Sequence, residues 1–151
     1  LESDPNFPPL LERTVVVLDT NIVLDLFVFN DPAAQPLRDA LTGAKAHWLA
    51  TMAMREELQR VLTYPQIVRS LAHHKTTAAQ VLDHFDAHVA IAGVAAKARI
   101  TCKDPDDQKF IDLAVAHAAL LLSKDHAVLC MAKRLLAQGV IALPAMKLVA
   151  N

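Results

Sequence analysis

Short apolar runs alternate along this chain with longer stretches in which apolar residues recur every three or four positions. The first run, Val15-Val16-Val17-Leu18, holds three β-branched residues and reads as a strand buried on both faces. Such a strand needs helices above and below it, which points to a parallel sheet. It stops at Asp19, and Ile22, Val23, Leu26 and Phe27 follow at helical spacing. That helix should end near Asn30-Asp31-Pro32, because proline disfavours helix in the residue before it. A second helix over 33–42 ends at Gly43. Ala46–Ala50 predicts strand two, and Thr51 caps a helix over 52–62 that stops at Tyr64-Pro65. The stretch 66–98 keeps helical spacing through Ile67, Leu71, Val81, Leu82, Phe85 and Val89. Ala98–Cys102 is expected as strand three, 107–118 as a helix and Leu120–Ser123 as strand four. A helix over 126–137, a turn at Gly139 and a fifth strand over Val140–Leu143 complete the pattern. The order is that of an α/β domain with a largely parallel sheet.

Composition narrows the class. With 151 residues, 54% of them apolar, the chain is one domain with a sizeable core and is not disordered. No apolar run approaches the roughly 20 residues that span a bilayer. Residues 1–13 are acidic and proline-rich, with no basic n-region or apolar h-region, and read as a surface arm rather than a signal peptide. The folded domain is expected over 14–151, in the cytoplasm. Cys102 and Cys130 fit no zinc spacing or disulfide framework and are expected to be small buried residues. With 15 basic against 16 acidic residues, any attraction to nucleic acid must be local.

If the strands are parallel, every strand-to-helix turn lies on one edge of the sheet. Asp19 and Asp125 then share that edge, the helix beginning near Asp107 starts there, and Glu57 lies within the second turn of the helix after strand two. Four acids spread over 106 positions, from Asp19 to Asp125, thus converge on one pocket. Buried like charges are unfavourable unless cations neutralise them, and hard oxygen donors suit Mg²⁺ or Mn²⁺. Each acid also has a purely structural reading. Asp19 and Asp125 are good N-caps, Asp107 is favoured by a helix dipole, and Glu57 suits an exposed helix face. Asp83, Asp86 and Asp112 have no such placement and are expected to be solvated.

Four segments together resemble the PIN domain family, in particular bacterial toxin components of toxin–antitoxin pairs. They are Val16-Val17-Leu18-Asp19-Thr20-Asn21, Glu56-Glu57-Leu58, Asp104-Pro105-Asp106-Asp107 with the helix it opens, and Leu122-Ser123-Lys124-Asp125. The 18-residue step from Asp107 to Asp125 is similar to the spacing of the family's last two acids. The resemblance implies a three-layer α/β/α domain with strand order 3-2-1-4-5, and a metal-dependent ribonuclease held by a cognate antitoxin. It carries the metal-binding and catalytic acids over to Asp19, Glu57, Asp107 and Asp125, and the supporting polar residues to Asn21 and Ser123. Glu56 competes with Glu57, and Asp104 and Asp106 with Asp107; Asp106 is an alternative helix cap.

Other candidates are weaker. His84 and His88 stand four apart and could share Zn²⁺, but the Glu that follows the first His in metalloprotease helices is missing. Ser123 has no readable His–acid relay. Lys103, Lys109, Lys124 and His126 flank the acids and could hold RNA phosphates. A haloacid-dehalogenase-like phosphatase would need an acid where Asn21 stands. A non-catalytic domain of the same fold, binding RNA or a protein, is the other alternative. Apolar residues over 66–92 suggest a homodimer surface.

Overall fold

The computed structural model describes residues 14–146, so the expected arm over 1–13 lies outside the described residues. Five strands form one parallel sheet in the order β3-β2-β1-β4-β5. They are β1 (Thr14–Leu18), β2 (Ala46–Ala50), β3 (Val89–Ile91), β4 (Leu120–Leu122) and β5 (Ile141–Leu143). The connections carry α1 (Thr20–Phe27) and α2 (Gln35–Thr42), then α3 (Met52–Val61), α4 (Pro65–His73) and α5 (Ala78–His88). Beyond β3 come α6 (Gln108–His117), α7 (His126–Leu129) and α8 (Ala132–Ala137). Right-handed crossovers that step outward from β1 in both directions put α1 and α2 on one face and α6 and α8 on the other. The expected α/β/α layering and strand order are both found. Among the described residues, no helix is long and apolar enough to cross a membrane.

The valine run explains why β1 is central. Val16 and Val17 are fully buried, and β1 pairs with β2 through Val16↔Trp48 and with β4 through Val17↔Leu121. Trp48 meets the edge of Phe85 at 5.1 Å, which ties α5 to the sheet. Ile67, Leu71 and Val81, three of the residues read as a dimer surface, belong to this core, while Val68 stays exposed.

Four expectations need correction. The third strand is Val89–Ile91, directly after α5 and paired with β2 through Leu49↔Ala90, and not Ala98–Cys102. A short apolar run continuing a helical period is locally ambiguous, and the open edge of β2 decides it. The 98–102 segment is instead held by side chains of α6. Gln108 accepts from the Cys102 amide (2.6 Å) and donates to the Ile100 carbonyl (3.0 Å), and Asp112 accepts from the Ala98 amide (2.9 Å). Asp112 is therefore a bracing acceptor and not a solvated acid. The helix expected over 126–137 breaks into α7 and α8, where the Met131 amide turns back to the Val128 carbonyl. Cys130 is exposed, whereas Cys102 is buried as expected.

Helix α6 ends on Ala118, which sits in the left-handed region (φ 49°, ψ 45°) while the Ala119 amide closes on the Ala114 carbonyl at 2.9 Å. Glycine adopts this conformation without the Cβ clash. Ala118 is exposed, so losing its methyl forfeits little packing. Ala118→Gly should stabilise the protein by about 1 kcal/mol, read as a higher midpoint in urea at an unchanged slope.

Candidate metal centre

Parallel strands deliver their ends to one edge, and three aspartates meet there. Asp19 follows β1, Asp125 follows the turn after β4, and Asp107 closes a 3-10 turn over Pro105–Asp107 at the start of α6. Each offers a carboxylate oxygen, and these oxygens lie within 4.8 Å of one another. Asp19 and Asp107 are 4% and 7% exposed, so the charges face each other largely out of water. Sequence left Asp104, Asp106 and Asp107 in competition. Asp104 caps the 3-10 turn by accepting from the Asp106 amide (2.9 Å), Asp106 is exposed, and Asp107 turns into the cluster.

Ser123 braces the group. Fully buried, it donates to Asp19 Oδ2 (2.7 Å) and accepts from the Asp125 amide (3.0 Å). Asp125 Oδ1 accepts from the Ala127 amide at 2.9 Å, so it also caps α7. The Asn21 side chain is exposed, and its contribution is the backbone amide near Asp19.

Glu57 lies at the same edge but outside the aspartate group. It accepts from the Thr20 hydroxyl and pairs with Lys109 Nζ at 2.6 Å. Its charge still reaches Asp19. Glu56 is exposed on α3. Neither the Thr20 nor the Lys109 contact was legible beforehand, because the partners are 37 and 52 positions from Glu57. Of the other expected phosphate contacts, Lys103 and His126 are exposed, and Lys124 pairs with buried Asp25 at 2.5 Å.

A cavity of about 410 Å³ lies elsewhere, at the far end of α1, between Phe27, Arg38, His74 and His88. His84 stacks on Phe27 there at 5.2 Å. Among the described residues the aspartate trio alone brings three or more metal-ligand atoms together, and the histidines belong to no such group.

Burial pushes the Asp19 carboxyl above its ordinary value, against the Ser123 hydroxyl and Asn21 amide, which pull it down, while Asp125 and Glu57 add to the rise. Burial raises Asp107 further, to about 8, helped by the Asp125 carboxylate beside it and by the charges of Asp19 and Asp104. Asp107 Oδ2 is buried without a hydrogen-bond partner. An orphaned oxygen among three carboxylates fits a hard divalent cation, with Asp19, Asp107 and Asp125 as the donors.

A family profile described as PIN domain matches residues 15–127. Among curated proteins, none matches the chain. Among solved structures, the chain is similar to one in the crystal structure of VapBC2 from Rickettsia felis bound to a DNA fragment from their promoter. The two are 16% identical with a TM-score of 0.56, over 85% of this chain and 96% of that one. At that identity the likeness concerns the fold.

The raised carboxyls fix a sign for pH dependence. Asp107 holds its proton more tightly in the folded chain, so its contribution is fully present below the unfolded value of 3.8 and is lost as pH rises through about 8. In chelator, the melting temperature should therefore fall between those limits. Asp107→Asn should flatten that slope and raise the melting temperature at the alkaline end by a few degrees. Millimolar Mg²⁺ or Mn²⁺ should restore the native protein there and leave the variant unmoved, as thermal melts across pH would show.

Proposed function

The chain belongs to the PIN domain family, and from that premise we propose that it is a metal-dependent endoribonuclease that cuts single-stranded RNA in the cytoplasm. The observation that carries this reading is the aspartate trio, three carboxylates at the carboxyl edge of the central strands with the Asp107 Oδ2 atom unpartnered. In this reading Asp19, Asp107 and Asp125 hold Mg²⁺ or Mn²⁺, and Glu57 stands beside them. A divalent ion bound there supplies a lowered pKa for a water and neutralises charge developing on the phosphodiester. Ser123 keeps the Asp19 carboxylate and the Asp125 backbone in register through its two hydrogen bonds. Lys103 and His126, both exposed near the acids, would contact phosphates of the strand.

The attacking group in this scheme is water. Ser123 is fully buried and donates its hydroxyl hydrogen bond to Asp19, and Cys102 is buried with its thiol pushed up by desolvation, so neither is an available nucleophile. A single in-line displacement then leaves a 5′-phosphate and a 3′-hydroxyl.

The resemblance to the VapBC2 chain supports the further reading that a cognate antitoxin protein binds this chain and holds it inactive as the toxin of such a pair. Homodimerisation through 66–92 belongs to the same proposal, and the exposed apolar side chains there are Val68 and Ile91.

The purified chain should cleave single-stranded RNA with Mg²⁺ or Mn²⁺ and stop in excess chelator. Asp19→Asn should slow cleavage by orders of magnitude while the melting curve stays cooperative, because the change removes a charge and not a packed surface. End-group analysis decides the chemistry: 2′,3′-cyclic phosphate ends, or full activity in chelator, would overturn the scheme.

A further inference from the structure

We propose that Lys109 is a resident cation of the site, its ammonium filling the place beside Glu57 where a second divalent ion would otherwise sit. The chain then takes one divalent ion, on Asp19, Asp107 and Asp125; this rests on the trio being a cation site, as proposed above.

Lys109 Nζ stands 2.6 Å from Glu57 Oε1 and 2.5 Å from the Asp106 carbonyl oxygen. The Thr20 hydroxyl donates to the other Glu57 oxygen, so both oxygens of the carboxylate are engaged within the chain. A carboxylate oxygen and a backbone carbonyl converging on one point are ligand types that hard cations take. Here an ammonium occupies that point. The pair is not a loose surface contact, since the side chains are 27% and 16% exposed and the Lys109 ammonium lies 4.9 Å from the Phe110 ring centre. Two of the three ammonium donors are committed.

The fourth acid is thereby separated from the other three. Glu57 lies close enough for its charge to raise the Asp19 carboxyl, yet its oxygens are outside the group that comes within 4.8 Å. Phosphodiester-cleaving sites with two metals place them roughly 3.5–4 Å apart, so a second ion here would need the Glu57 carboxylate beside the aspartates. In this chain the carboxylate for a second ion is already paired with a positive charge tethered to the same chain. Glu57 therefore acts as a positioning residue, through Lys109, and not as a ligand of the bound ion.

The test counts ions. Mn²⁺ titrated into the full chain, with free Mn²⁺ followed by electron paramagnetic resonance and heat by calorimetry, should give one ion per chain. Lys109→Met keeps the stem and drops the charge, and should raise the count to two. Adding Glu57→Gln to that variant should return it to one. Lys109→Gln provides the same comparison if the methionine variant does not fold, judged by melting. Two ions in the unaltered chain, or one in the folded Lys109 variants, would overturn the inference and leave the aspartate site standing. No ion in the unaltered chain would remove the aspartate site and the inference together.

Discussion

Mutual repulsion of three carboxylates is the constraint that the rest of this structure answers to. A parallel sheet gathers the ends of its strands on one edge, and Asp19, Asp107 and Asp125 are gathered with it, to within 4.8 Å. At that spacing two unit charges repel by about 3 kcal/mol in a medium of effective dielectric near 20. Each carboxylate also stands at the start of a helix, α1, α6 or α7, whose positive end favours it. Such an end contributes only about 0.3–1 kcal/mol. The dipoles therefore lose to the pairwise repulsion, and something else must neutralise the group. Without a cation the answer is a proton: burial first, and then the neighbouring carboxylates, raise the Asp107 carboxyl to about 8.

The surrounding contacts divide the remaining work. Three consecutive residues of the turn after β4 do three different things. Ser123 links Asp19 to Asp125, Lys124 reaches across to Asp25 on α1, and Asp125 joins the cluster. Asp25 is 6% exposed, and its pairing with Lys124 fastens this turn to the helix that begins just after Asp19. The turn and α1 are thus tied to each other on the side of Asp19 and Asp125. Glu57 adds a fourth negative charge at this edge, and the Lys109 ammonium beside it offsets part of that charge.

How much of this the amino-acid order disclosed follows from how local each feature is. The valine run ending at Asp19 identified the central strand, because an uninterrupted β-branched run has few other uses. The sheet edge on which the aspartates meet followed from topology alone. The third strand was misplaced because Val89-Ala90-Ile91 continues the apolar period of α5, and only the vacant edge of β2 turns it into a strand. Ala98–Cys102 resembled a strand in composition, yet its backbone groups go to Gln108 and Asp112, a bond pattern that depends on where α6 docks. The Lys109–Glu57 pair is hidden for the same reason. Lys109 looked like a phosphate contact because it stands two residues after Asp107, and its partner is 52 positions away.

The competition between helix cap and cation ligand also takes a different form in three dimensions. Sequence reasoning treats the two as exclusive, but a carboxylate has two oxygens. Asp125 uses both possibilities: Oδ1 caps α7 through the Ala127 amide, and the residue still contributes to the 4.8 Å group. Asp19 holds the Ser123 hydroxyl and the Asn21 amide and still joins the group, whereas Asp107, at the N-cap position of α6, makes no capping bond. A well-made cap is worth about 1 kcal/mol. Thr51 and Thr77 show that this chain makes caps where nothing competes. Asp107, held away from such a bond and towards like charges instead, is oriented by the cluster and not by the helix it precedes. The unmade α6 cap is a local bond forgone at the one place where the carboxylates meet.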